Sequence, residues 1–229
     1  MKSHYRNVNS NEIRTKFFLK MTVTMFIAFC LLSSLGCASK VSLKKEDIQA
    51  NRTVNISQNV SLPEAIFYQG RKEMMLQGTL GLIGAAAAEG GRKGTADIIK
   101  DVMNKSNVDV AQIVRMEFEQ QLKSSNLFNT ILTDRGNYPE IKLKIQLYGF
   151  ASPQTFSSQL RPMLGITGEL VKPDGSVIWK DYEYVSNLNG KTPSYTLEEY
   201  LKNPELIREA FNGASQIVVR GLIEDMKGE

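Results

Sequence analysis

The feature that most limits how this chain can fold is an uncharged apolar segment near its start, at residues 21–35. It follows a basic segment at residues 14–20 and ends next to Gly36. A basic segment, a short apolar segment and a small residue at the break make up a secretory signal peptide. As a helix, the apolar segment would span roughly 22 Å, less than the bilayer's hydrocarbon core of about 30 Å, so it does not suit a membrane span. We therefore expect residues 1–36 to be a leader that is removed.

The residues at the end of this leader resemble the lipobox of bacterial lipoproteins: Leu35, Gly36 and Cys37, followed by Ala38. The resemblance implies cleavage between Gly36 and Cys37, a thioether-linked diacylglycerol on the cysteine sulfur, and an acyl chain such as palmitate on the new amino group. Ala38 stands where an aspartate retains many such proteins at the inner membrane. This favours the outer membrane, with the protein facing the periplasm. The alternative is an ordinary signal peptide cut nearby, which leaves Cys37 as a free thiol.

Removal of the leader changes the composition that matters for function. The full chain has 28 basic and 24 acidic residues, of which the leader holds five and one, so 23 of each remain. The leader also holds the single histidine, His4, and one of the two cysteines, Cys30. With Cys37 lipidated, the mature chain cannot build a His-based triad, a cysteine nucleophile or a His/Cys zinc site. We expect no enzyme activity, cofactor, metal or nucleic acid partner, although an enzyme that uses carboxylates stays open.

Alternating apolar and polar residues predict several strands. The clearest alternation is at residues 140–148, where one face is apolar and the other polar. Residues 163–171 and 177–185 flank a Pro-Asp-Gly-Ser turn and are typical of a hairpin. Shorter apolar stretches predict two further strands, at residues 52–57 and 127–133.

Apolar residues at helical spacing predict two main helices, at residues 108–123 and 204–226. The expected fold is α/β (α+β), with an antiparallel or mixed sheet of four or five strands and both helices packed on one face. One domain at residues 52–229 accounts for these elements. Residues 37–51 are polar and charged, so they predict a lipidated, flexible tether between membrane and domain.

A Gly/Ala-rich segment at residues 74–88 interrupts this domain. Gly81 with Ala85, and Gly84 with Ala88, have the four-residue spacing at which helix backbones approach closely. Gly81 and Gly84 are therefore candidate contacts for a membrane or a partner helix. A buried helix and a glycine loop are the alternatives, since glycine costs an isolated helix roughly 0.5–1 kcal/mol relative to alanine.

Aromatic residues supply the remaining candidates. Phe156 lies in a long connection at residues 151–162, either as an exposed anchor for a partner or packed over the sheet edge. Trp179, Tyr182 and Tyr184 fall on the second strand of the predicted hairpin. There they favour cross-strand packing over ligand stacking.

The order of these elements over residues 108–227 resembles the periplasmic domains of small envelope lipoproteins. The types in question are the curli-secretion lipoprotein, the amino-terminal domain of TolB and the lipoprotein activators of penicillin-binding proteins. The lipid anchor, the missing histidine and free thiol, and the absence of a strong site motif favour a non-enzymatic protein that docks on other envelope proteins during transport, secretion or assembly. An anchored protein that binds a lipid or another small amphiphile is the alternative.

Overall fold

The computed structural model describes residues 40–71, 94–133 and 136–228. The predictions for Gly36, Cys37, Gly81 and Gly84 lie outside these ranges. In chain order, the described elements are α1 (Lys45–Ala50), β1 (Thr53–Ile56), β2 (Phe67–Gln69), α2 (Thr95–Lys105), α3 (Val110–Ser125), β3 (Thr130–Leu132), β4 (Glu140–Ala151), β5 (Gln159–Val171), β6 (Val177–Val185), β7 (Tyr195–Thr196), α4 (Leu197–Lys202) and α5 (Glu205–Lys227).

The strands form a mixed sheet in the order β3-β1-β4-β5-β6. β1 is parallel to both β3 and β4, and β5 is antiparallel to both β4 and β6. β2 runs parallel to the last residues of β4, and β7 pairs with the first residues of β5. The predicted mixed sheet is confirmed, but it has seven strands instead of four or five. β2 and β7 have three and two residues, too few to show alternation in the sequence.

The predicted hairpin is confirmed: β6 has the predicted bounds, and β5 begins four residues earlier than expected. Its turn is closed by the Ser176 carbonyl, which accepts a hydrogen bond from the Lys172 N–H at 2.8 Å. Gly175 takes a φ of 87°, which is easy for a residue without a Cβ. Because β4 and β5 are long, the connection predicted at residues 151–162 shortens to residues 152–158.

The two predicted main helices are confirmed as α3 and α5. They pack against each other, and α5 also covers β5 and β6. α3 begins after Asp109, whose carboxylate accepts a hydrogen bond from the Gln112 N–H at 3.1 Å. In the core, the Phe150 ring lies 4.6 Å from Tyr200 and 5.2 Å from Phe211 (centroid distances). None of the helices in the described ranges is both long and apolar enough to cross a bilayer.

Residues 40–51 do not form the flexible spacer that the sequence suggested. The N–H and carbonyl of Val41 each form a 2.9 Å hydrogen bond with the backbone of Lys180, next to the outer edge of β6. Leu43 packs against the core, and α1 follows directly. We call residues 40–43 the strap. The physical reason is that Val41 and Leu43 alternate with polar residues, which is the pattern of a half-buried strand.

Candidate functional site

The strap is held at its first residue by two carboxylates. The Lys40 ammonium lies 3.5 Å from Asp181 Oδ1 and also contacts the carboxylate of Asp225. Asp225 accepts a hydrogen bond from the Trp179 indole N–H at 2.9 Å, so one carboxylate joins the strap, β6 and α5. The hydrogen bond to Asp225 raises the pKa of Lys40. Asp181 is only 7% exposed, and its Oδ2 has no hydrogen-bond partner within the described ranges. Lys40 therefore supplies a positive charge to a buried carboxylate.

Replacing this ammonium with an apolar group of similar length tests the role of Lys40. We expect Lys40→Met to lower the free energy of unfolding of the mature protein by about 1–2 kcal/mol, because a buried carboxylate loses its cation. Urea denaturation followed by circular dichroism measures the change. Lys202→Met is the control, since the pair of Lys202 with Glu198 is largely exposed and should not affect stability. Equal losses in both variants would contradict a special role for the strap.

Glu183 lies on the same side of β6 as Asp181, because side chains alternate along a strand. Burial raises the pKa of Glu183, and the nearby carboxylates of Asp181, Asp225 and Glu224 act in the same direction. The charge of Lys40 opposes them. Glu183 and these three carboxylates thus form an acidic cluster, in which Lys40 of the strap supplies a positive charge.

The raised pKa of Glu183 predicts a pH-dependent stability. As pH rises above the ordinary value of 4.5, the unfolded chain loses the Glu183 proton before the folded protein does, so stability falls through this window. We expect Glu183→Gln to be more stable than the native protein at pH 7, with the difference shrinking below pH 4.5. Thermal denaturation across this range measures it. Glu198→Gln is the control, because Glu198 is largely exposed and its pair with Lys202 should contribute little to stability at any pH. A native protein that gains stability relative to Glu183→Gln as pH rises would contradict the assignment.

A second feature is a pair of loops at one end of the sheet, at residues 152–158 and 186–194. The Asn187 side-chain amide donates a hydrogen bond to the Ser152 carbonyl at 2.6 Å, which joins the loops at their bases. The Arg161 guanidinium donates to the Asn187 carbonyl at 3.4 Å. We call this pair of loops the two-loop tip.

Each loop of the tip exposes one large apolar side chain. Phe156 is 77% exposed and Leu188 is 73% exposed. The packing of Phe156 over the sheet edge, left open by the sequence, is therefore wrong. Leu188 could not be identified from the sequence, because one leucine in a polar loop gives no signal. Paired exposed apolar residues on joined loops are typical of a contact site, and the use of Phe156 by a partner stays a prediction.

The aromatic residues of β6 separate into two environments. Trp179 is fully buried and hydrogen-bonded to Asp225, so it belongs to the core. Tyr182 and Tyr184 point to the other face of the sheet, where their rings stack at 6.2 Å. Tyr182 covers Gly165 of the neighbouring strand, so its predicted cross-strand packing is confirmed. Both tyrosines still expose much of their surface, 44% and 60% respectively.

Two surface grooves complete the candidate sites. One has a volume of 430 Å³ and combines apolar Leu62, Met103 and Val108 with polar groups such as Lys100. The other, of 590 Å³, is lined by Asn55, Glu140 and Lys172 among others and is mostly polar. Within the described ranges, no three acidic, histidine or cysteine side chains come together in a way that suits a metal ion.

No family model and no curated protein matches the sequence. Among solved structures, the chain is similar to a minor lipoprotein from Acinetobacter baumannii, with a TM-score of 0.37 and 10% sequence identity. The similarity covers 77% of this chain and 95% of that chain. At this distance the similarity does not extend to function, which has to come from the residues of this chain.

Proposed function

We propose that this chain is a lipid-anchored bacterial envelope protein, acylated at Cys37, that docks on other envelope proteins without catalysing a reaction. Its place is the outer membrane, facing the periplasm, within a system for transport, secretion or assembly. The anchor is argued from the apolar leader and the lipobox-like residues that end at Cys37. The proposed docking role needs no cofactor.

The observation that carries the docking role is the two-loop tip. Phe156 and Leu188 place apolar surface in water on loops that hydrogen bonds hold together. Aromatic residues that become buried at an interface contribute strongly to binding, and their exposure in the free protein has little structural benefit. The tip therefore suits a protein partner with a complementary apolar pocket.

Site-specific photo-crosslinking in intact cells tests this role. We replace Phe156 or Leu188, one at a time, with a benzoylphenylalanine and expect an adduct of the same mass from both positions. The control is Met116, which is 56% exposed and belongs to α3 instead of the two loops. Adding Leu188→Ser to the probe at residue 156 should weaken the adduct. No adduct from the tip, or the same adduct from residue 116, would contradict the docking role.

The groove of 430 Å³ favours a second candidate function, the binding of a lipid or small amphiphile. Leu62, Met103 and Val108 give the groove apolar surface. Lys100, whose ammonium donates a hydrogen bond to the Glu64 carbonyl at 2.6 Å, adds a positive charge for a polar head. Extraction of the purified protein with organic solvent, followed by mass spectrometry, tests this function. A stoichiometric lipid beyond the covalent acyl chains would support it, and its absence would leave docking alone.

A further inference from the structure

The strap fixes the position at which the chain enters the domain. Val41 forms two backbone hydrogen bonds of 2.9 Å with Lys180, and Leu43 packs against the core. Lys40 is held between Asp181 and Asp225. Lys40 is thus fixed beside β6, and residues 40–43 are held against the domain.

The distance from this point to the anchor is limited by covalent geometry. Cys37 is three residues before Lys40, so their Cα atoms are at most about 11 Å apart even in a fully extended chain. The acylated sulfur of a lipoprotein lies at the level of the lipid headgroups. If Cys37 is acylated, the β6 side of the domain must therefore lie at the bilayer surface.

The residues on this side suit a membrane interface. Tyr182 follows directly after Asp181, and Tyr184 lies two residues further on the same outer face of β6. Their stacked rings, with phenolic hydroxyls, have the apolar body and polar tip that favour the headgroup region. Lys44 and Lys45, directly after the strap, are exposed and suit anionic headgroups.

From this geometry we infer that the strap edge, meaning the strap together with Tyr182 and Tyr184, rests in the headgroup region of the bilayer that anchors Cys37. The domain is then docked on the membrane in one orientation instead of hanging from a flexible tether. Asp181 lies on the opposite face of β6 from the two tyrosines, toward Asp225 of α5, and Lys40 pairs with both carboxylates. The inference rests on the proposed acylation of Cys37.

Fluorescence quenching in vesicles tests the orientation. An acylated mature chain has no free thiol, so a single introduced cysteine carries one label. We label Tyr184→Cys and, as the control, Met116→Cys with bimane; the native residues are 60% and 56% exposed. Each full mature lipoprotein is reconstituted in vesicles of phosphatidylethanolamine and phosphatidylglycerol that carry a nitroxide on a fraction of the headgroups. We expect fluorescence at residue 184 to fall by about twofold or more, because the three-residue connection from Cys37 to Lys40 is too short to hold β6 far from the headgroups. Fluorescence at residue 116 should stay unchanged.

Two further measurements separate the possible failures. Intact mass of the same samples reports acylation, and protein without acyl mass would overturn both the anchor and the orientation. Acylated protein with equal quenching at residues 184 and 116 would overturn the orientation alone. A Gly/Ser linker of about twenty residues between Ser39 and Lys40 should abolish the difference, because it spans roughly 25 Å on average. Unchanged quenching at residue 184 in that variant would contradict the role of the strap.

Discussion

Phe211→Ala should lower the free energy of unfolding by about 3–5 kcal/mol, the usual cost of removing a buried aromatic ring. The Phe211 side chain is fully buried on α5. Its ring lies 5.2 Å from Phe150 and 6.3 Å from Tyr148 (centroid distances), so it joins the long helix to β4. Removal of the ring leaves a cavity that these fixed elements cannot fill. Chemical denaturation of the mature protein, followed by circular dichroism, measures the loss.

Phe156→Ala is the matched control for this prediction. It removes the same atoms from a side chain that is 77% exposed, so we expect a change within about 0.5 kcal/mol. The same variant tests the two-loop tip, because it removes apolar contact surface from a domain that stays folded. A loss comparable with that of Phe211→Ala would mean that Phe156 is part of the core.

Gly149→Ala should cost about 3 kcal/mol or more, because strain and overlap act at the same residue. Gly149 has a φ of 152°, and a Cβ built there would overlap the backbone carbonyl of Phe67. Phe67 is the register partner of Gly149, so the substitution pushes β2 away from β4. Thermal denaturation measures the loss of stability.

Two other glycines distinguish the effect of backbone strain from the effect of steric overlap. Gly175 has a φ of 87° but no atoms within 4 Å of an added Cβ, so Gly175→Ala should show strain alone, about 1 kcal/mol. Gly190 has the same open space without a positive φ, and Gly190→Ala should be nearly neutral. If Gly149→Ala lowers the stability no more than Gly175→Ala does, this would contradict the close contact between β2 and β4.

The long elements of this fold could be predicted from local patterns. β4 alternates over a stretch long enough to identify the buried face, and Gly175 in the hairpin turn has the conformation that its sequence suggests. α5 keeps its helical spacing over 23 residues. β2 and β7 could not be predicted, because a strand of two or three residues is defined by its neighbours and not by its own pattern.

The candidate sites were less predictable, since they depend on contacts between distant residues. In the sequence, Lys40 is one of several charged residues in a polar stretch. Only the fold brings it to Asp181 and Asp225. Phe156 was a candidate because its loop is long, but its exposure depends on how the strands around it end. Leu188 becomes notable only because Asn187 binds the neighbouring loop.

The anchor and the membrane orientation both depend on the chemistry of Cys37. Intact mass spectrometry of the protein from its native membranes measures this chemistry. Native protein and Cys30→Ala, which changes only the leader, should both begin at Cys37 and carry the added mass of diacylglycerol and an acyl chain. Cys37→Ala should lack that mass. Native protein that begins at another residue, or begins at Cys37 without acyl mass, would contradict the anchor and the membrane orientation derived from it.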